Sequence, residues 1–262
     1  MLDTENLAGF GTIVSDVRGQ QSAFLCLPAV VPLATKRSRE PDHFQRLYES
    51  SVDPWNLAGS RYEAAKYQHT LGMLGGGNFA AGLEVGCSIG VLTRPLAARC
   101  EKLLAVDNVA APLRLARARC ADLTQVQFAR MQAPQEWPDH VFDLVVLSEI
   151  LYFLSPDDIA YCARRVADWT SLNAVALLVN WLGQSDDPST GDEAADRFIA
   201  ALADLFRVDR TVRSQQYRID RLVRRARYSA PATRPQRTNA IFFSMRPSQT
   251  PRRTQAGKPS GP

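Results

Sequence analysis

The chain holds only three histidines, His43, His69 and His140, and they lie too far apart for ligand spacing on one element. A histidine-built metal centre is therefore not expected. The five cysteines, Cys26, Cys87, Cys100, Cys120 and Cys162, are odd in number and form no Cys-x-x-Cys pair. That usage implies free thiols in a reducing cytoplasm, not a disulfide framework. No apolar run reaches the ~20 residues needed to span a bilayer. The longest, Ala23 to Ala34, is broken by Pro28 and Pro32 and begins late for a signal peptide. Acid is missing from one end of the chain. Ten of the 31 Lys and Arg, and none of the 27 Asp and Glu, lie from Arg221 onward. The preceding chain thus carries 21 basic against 27 acidic residues, so the net charge of +4 belongs to the end. A basic face for nucleic acid is not indicated. Arg221, Arg224, Arg225 and Arg227 read either as an anion-binding cluster or as part of a solvated tail.

What is present is a globular composition, 45% apolar and 22% charged, in 262 residues, which suits one large domain with tails. The expected division is an N-terminal extension over 1–40, a folded domain over 41–228 and a basic, disordered tail over 229–262. A helix is expected from His43. Ser60 and Glu63 read as a capping box opening a second helix, stopped by Gly75-Gly76-Gly77. Strands then alternate with helices: strands over 80–86, 102–107, 126–131, 141–148 and 174–180, and an antiparallel pair over 206–212 and 216–222. Ser155 followed by Pro156 marks another helix start. The alternation predicts an α/β fold, a mostly parallel seven-stranded sheet with helices on both faces and the last strand antiparallel.

The segment Glu84-Val85-Gly86-Cys87-Ser88-Ile89-Gly90 joins the first strand to a helix expected over 90–99. Gly86 and Gly90 tolerate positive φ and close approach. Asp107 ends the next strand, 21 positions after Gly86, near the ~20-residue offset at which such folds place an acid on ribose hydroxyls. A dinucleotide loop wants Gly-x-Gly-x-x-Gly, so that pyrophosphate can rest on a helix N-terminus. Here an acid, Glu84, stands two residues before the first glycine. It would oppose pyrophosphate and suit an ammonium or sulfonium, which points to S-adenosylmethionine. An ordinary strand–turn–helix with glycines for packing is the alternative.

The loop, Asp107, the segment from Phe142 to Phe153, Asp53-Pro54-Trp55, Arg61-Tyr62-Glu63, Asn180-Trp181-Leu182-Gly183 and Thr190-Gly191-Asp192-Glu193 together resemble the class I S-adenosylmethionine-dependent methyltransferases. More narrowly they resemble the nodulation protein S family, over roughly residues 42–224. That resemblance implies a Rossmann-like fold and N-methylation of the amino sugar at the non-reducing end of a chitooligosaccharide. The chain departs from the common pattern. Leu172-Asn173-Ala174 replaces a Pro-Gly-Gly turn, and Arg130-Met131-Gln132 replaces an acid near the adenine. Histidines found in some relatives near Asn180 and Ala195 are missing.

Cofactor contacts are expected from Glu84, Gly86, Cys87, Ser88, Gly90, Asp107, Asn108, Met131, Gln132 and Ser148. Trp55 and Tyr62 are expected as a lid, with Arg61 or Lys66 near the cofactor carboxylate; packing of these aromatics onto the sheet is the other reading. Glu149 is the first candidate for holding the acceptor ammonium or taking its proton, and Tyr152 for contacting the acceptor. Each has an alternative, Glu149 as a solvated or helix-capping acid and Tyr152 as core. Asn180 and Trp181 end the fifth strand at the ligand edge, and Trp181 reads either as a stacking surface for a sugar or as core. His69 reads as a surface residue, and Arg114, Arg117 and Arg119 as a solvated face. Two other functions stay open: O- or N-methylation of another small molecule, and cofactor binding without catalysis.

Overall fold

The computed structural model describes residues 36–226. The apolar run at Ala23 to Ala34, Cys26, Arg227 and the expected tail lie outside the described residues. The seven strands are β1 (Gly82–Val85), β2 (Leu103–Asp107), β3 (Val126–Arg130), β4 (Phe142–Ser148), β5 (Thr170–Trp181), β6 (Phe206–Arg213) and β7 (Tyr217–Arg224). They form one sheet in the order β3-β2-β1-β4-β5-β7-β6. The first five run parallel, and β7 lies antiparallel to both neighbours. Chain order reverses between β1 and β4, so the carboxyl ends of these strands open the crevice where such sheets place ligands. Leu83, Ala105, Leu144, Val146 and Leu177 are at most 1% exposed, as strands covered on both faces require.

The helices are α1 (Pro41–Ser50), α2 (Arg61–Gly72), α3 (Thr93–Ala97), α4 (Ala110–Arg119), α5 (Pro156–Asp168) and α6 (Gly191–Leu202). Ser60, Ser155 and Thr190 each accept from the backbone N–H three residues on. Only Thr190 completes a reciprocal capping box, with Glu193. At Ser60 the expected return bond is missing, and Glu63 Oε1 accepts from Lys66 instead. The helix expected over 90–99 shrinks to the five residues of α3, which contains Pro95. Proline lacks the N–H and fits only a first turn. β5 starts four residues before the expected 174. Thr170 pairs with Phe142, the register then shifts, and Asn173 takes φ +63° where the expected turn stood.

The arginines assigned to the basic end are partly structural. Arg224 donates to the carbonyls of Ala167 and Thr170, and Arg221 pairs with Asp209. Arg117 and Arg119, expected to be solvated, donate to Phe128 O and Ile89 O at 3.0 and 2.9 Å. His69 is exposed as expected, yet its Nδ1 bonds the Tyr217 hydroxyl. Cys87, Cys100, Cys120 and Cys162 are buried free thiols. No described helix is long and apolar enough to cross a membrane.

Candidate active site

β1 ends at Val85, and the chain turns sharply at Gly86, with φ +83°. The amides of Gly86 and Cys87 both donate to Val106 O, at 2.9 and 3.0 Å, which ties the turn to β2. A Cβ at Gly86 would sit 2.3 Å from Ile150 Cγ2. Gly90, at φ +78°, would meet Ala116 of α4 at 3.0 Å. Both glycines are thus required by backbone sign and by packing. Gly90 does not line the cavity described below, which corrects its assignment as a ligand contact: it seats the loop on α4. Arg119 of the same helix adds its bond to Ile89 O.

Asp107 closes the loop from the side. Its Oδ2 accepts from Ser88 N at 2.9 Å and its Oδ1 from Val109 N at 3.0 Å. Burial lifts its proton affinity to about 6, against the pull of these amides. Glu84 is 1% exposed, and its Oε2 has no hydrogen-bond partner among the described residues; Thr93 is the polar side chain beside that carboxyl. Burial pushes Glu84 up to about 8, with Asp107 adding repulsion. The acid expected to greet a cation is therefore largely protonated near neutral pH while no cation stands beside it. A positive group placed there would ionise it and supply its missing partner.

Across Ser148, β4 runs into Glu149, a non-glycine residue at φ +59°. Glu149 N donates to Val179 O at 2.8 Å, and a 3-10 turn follows over Leu151–Phe153. That turn brings the Tyr152 hydroxyl back to Glu149 Oε2 at 2.9 Å, and Trp181 N reaches the same oxygen at 2.9 Å. Glu149 Oε1 accepts from Lys66 Nζ at 2.5 Å. Lys66 also donates to Glu63 Oε1 at 3.0 Å and lies 5.0 Å over the Tyr62 ring. Burial opposes the Lys66 ammonium, but the two carboxylates outweigh it and its pKa is raised. Two of the three Lys66 N–H donors are therefore taken by Glu63 and Glu149, which leaves one for a ligand carboxylate, and Lys66 lines the cavity described below. Arg61, the other candidate for that task, is exposed and does not line the cavity. Burial, then the neighbouring Glu149, raises the Tyr152 phenol well above its ordinary value, so it acts as a donor.

These two walls share one cavity of about 880 Å³. Trp55, Tyr62, Glu84, Gly86, Cys87 and Ser88 line it. So do Asp107, Asn108, Met131, Gln132, Ser148, Glu149 and Tyr152. Arg130 Nε, outside the lining, donates to Asn108 O at 3.0 Å. Asn180 is not there: it is fully buried with both amide atoms unpartnered, while its neighbour Trp181 reaches the cavity.

The roof comes from the segment before β1. Asp53 holds the turn around Pro54 by accepting from Leu57 N and Ala58 N at 2.7 and 2.9 Å. The turn presents Trp55, 41% exposed, edge-on to Tyr48 at 5.6 Å. Tyr48 on α1 is buried and shares a hydrogen bond with Ser88, so α1 is docked on the glycine loop. Tyr48 was not among the expected site residues; the sequence marks it only as part of a helix start. The expected extension also contributes. Arg39 N donates to Phe153 O, and the Arg39 side chain pairs with Asp186 and Asp187 at 2.7 and 2.8 Å across the cavity mouth.

Residues 41–168 match the family model described as Nodulation protein S (NodS). Nodulation protein S of Rhizobium tropici is 32% identical over 151 residues, covering 54% of this chain and 63% of that relative. The counterpart from Bradyrhizobium diazoefficiens is 34% identical over 103 residues, covering 39% and 49%. The aligned stretches thus span from about half to just under two thirds of the curated relatives' lengths. Among solved structures, N-methyltransferase NodS from Bradyrhizobium japonicum WM9, in complex with S-adenosyl-L-homocysteine, superposes with a TM-score of 0.62. It is 20% identical and covers 70% of this chain and 97% of that one. A putative methyltransferase from Pseudomonas syringae reaches 0.56 at 26% identity, covering 63% and 100%. The fold is that of the class I S-adenosylmethionine-dependent methyltransferases, and over residues 41–168 the chain resembles the nodulation protein S family.

Proposed function

We propose that this protein is a cytoplasmic S-adenosylmethionine-dependent N-methyltransferase whose acceptor is an amino sugar or amino-oligosaccharide. One observation carries the reading. A single cavity joins the wall of Glu84, Gly86 and Asp107 to the wall of Glu149, Tyr152 and Trp181. The first wall fits the methyl donor. The buried, unpartnered Glu84 oxygen suits a cationic head, and Asp107 at the end of β2 suits ribose hydroxyls. Met131 and Gln132 are left for the adenine, with the Tyr48–Trp55 roof excluding water.

When bound, S-adenosylmethionine supplies a methyl group on a sulfonium, open to in-line displacement. The protein positions the acceptor and stabilises the charge that develops. An acceptor amine attacks as the free base, and positive charge arrives on its nitrogen. Glu149 faces that charge with a carboxylate held by three donors, so it acts as a fixed anion. The product leaves as a methylammonium that keeps its own protons, and no base is needed. Trp181 offers an indole face for a sugar ring.

The test is calorimetric titration with S-adenosylmethionine, followed by incubation with deacetylated chitooligosaccharide and other amines, read by mass. Binding that is lost in Asp107→Ala, with a gain of one methyl on the amino sugar, is the expected result. A methyl gained only on an unrelated small molecule would transfer the acceptor assignment there. Binding with no methyl gained on any amine would reject the enzymatic reading.

A further inference from the structure

The buried ion cluster beside the cavity has a division of labour that the transfer reaction alone does not require. Lys66 is 2% exposed and Glu63 7% exposed, both on α2. Lys66 Nζ lies 2.5 Å from Glu149 and 3.0 Å from Glu63. Two carboxylates and one ammonium leave the cluster with a net charge of one negative. Burying such a group is costly unless every member is paired. Burial drives Glu63 towards its neutral form while Lys66 opposes this, and the net direction for Glu63 is upward. Glu63 is therefore the strained member, and Glu149 the well-satisfied one, with Tyr152 and Trp181 N as further donors. Glu149 also keeps a positive φ, a conformation a non-glycine residue holds only when its surroundings insist.

The geometry suggests why both α2 residues are present. A lysine alone would tether Glu149 but cancel its charge. Placing Glu63 one helical turn before Lys66 returns that charge. Resting on the methyltransferase reading above, we propose that Glu63 and Lys66 are positioning residues for methyl transfer: Lys66 tethers the Glu149 carboxylate at the cavity wall, and Glu63 offsets the lysine so that Glu149 meets the acceptor nitrogen with its full negative charge. Neither residue exchanges a proton or forms a bond in the step.

The experiment compares wild type, Glu63→Gln, Lys66→Met and the double variant, by methyl transfer to an amine at saturating S-adenosylmethionine. Glu63→Gln keeps shape and tether but makes the cluster neutral. It should lower kcat about ten-fold, less than the roughly hundred-fold or more that follows loss of a direct contact to a transition state, because Glu63 acts through Lys66, while the Kd for S-adenosylmethionine stays within about two-fold. Lys66→Met should lower kcat at least as much, since two like charges then face each other. The double variant restores a lone Glu149 carboxylate. Its kcat should exceed that of Lys66→Met, a coupling expected of directly interacting groups. If Lys66→Met does not fold, the kcat of folded Glu63→Gln carries the test by itself. Full kcat in folded Glu63→Gln, or losses that simply multiply in the double variant, would overturn the proposal. Wild type that methylates no amine would instead reject the underlying reading, and the two failures are distinct.

Discussion

Replacing Glu84 by Gln keeps the outline of a buried carboxyl and removes its ability to ionise. Burial holds this group at about 8 in the folded chain, against an ordinary 4.5. Because the folded state binds the proton more tightly, the stability it contributes is complete below pH 4.5 and is lost as pH rises through 8. At about 1.4 kcal/mol per decade, that interval corresponds to roughly 5 kcal/mol. Asp107, held at about 6, adds its own loss between its ordinary 3.8 and 6 in both proteins. The difference between wild type and variant isolates Glu84. Urea unfolding from pH 6 to 9 should show wild type losing stability relative to Glu84→Gln. Binding should show the reverse slope. A cationic ligand favours ionised Glu84 and expels its proton, so wild-type affinity should rise about sixteen-fold from pH 6.5 to 8. The groups coupled to this charge are Asp107, Tyr67, Cys87, Cys100 and Cys120, and burial raises all five; Asp107, at about 6, is the carboxyl among them that titrates near that window. Calorimetry in buffers of different ionisation enthalpy counts the released proton. S-adenosylhomocysteine carries the ammonium without the sulfonium, so comparing the two ligands tells which cation Glu84 meets. Equal pH dependence of unfolding in wild type and variant, or no proton release, would refute the reasoning.

Two further outcomes test the scaffold beneath the site. Gly86→Ala should lose at least about 2 kcal/mol in urea unfolding, because left-handed backbone strains an L-residue and the added Cβ meets Ile150 at 2.3 Å. Wild-type stability there would contradict the turn geometry. Phe142→Ala removes a ring 2% exposed at the start of β4, with an expected cost of about 3–5 kcal/mol and an unchanged ligand Kd once folded.

The sheet was legible because its signals are local. Continuous apolar runs end at Gly86 and Asp107, and helix starts at Ser60 and Ser155 are written in the caps. Even so, α3 fell short where Pro95 limits it, and β5 absorbed an expected turn by a register shift. The loop residues on the cavity were legible for the same reason, with Gly90 as the exception. A glycine's small size is equally demanded by a ligand or by a helix, and here Ala116 of α4 makes the demand. Lys66 and Arg61 were indistinguishable as free cations in sequence. Only packing shows that one is enclosed by two acids and the other faces solvent. Asn180 and Trp181 adjoin in the chain, yet strand alternation sends one into the core and the other to the cavity.

The sequence by itself determined the parallel sheet, its antiparallel end and the acid-glycine loop at the strand crossover. Those follow from side-chain size, polarity and spacing along a few residues. The tertiary structure alone decided the charges. Glu84 is held near neutrality because the fold removes its water, and the Glu149 carboxylate meets an ammonium because α2, far from it in the chain, brings Lys66 to it. A residue's type sets which charges it can carry; its distance from water and from other charges, set by the whole fold, selects among them.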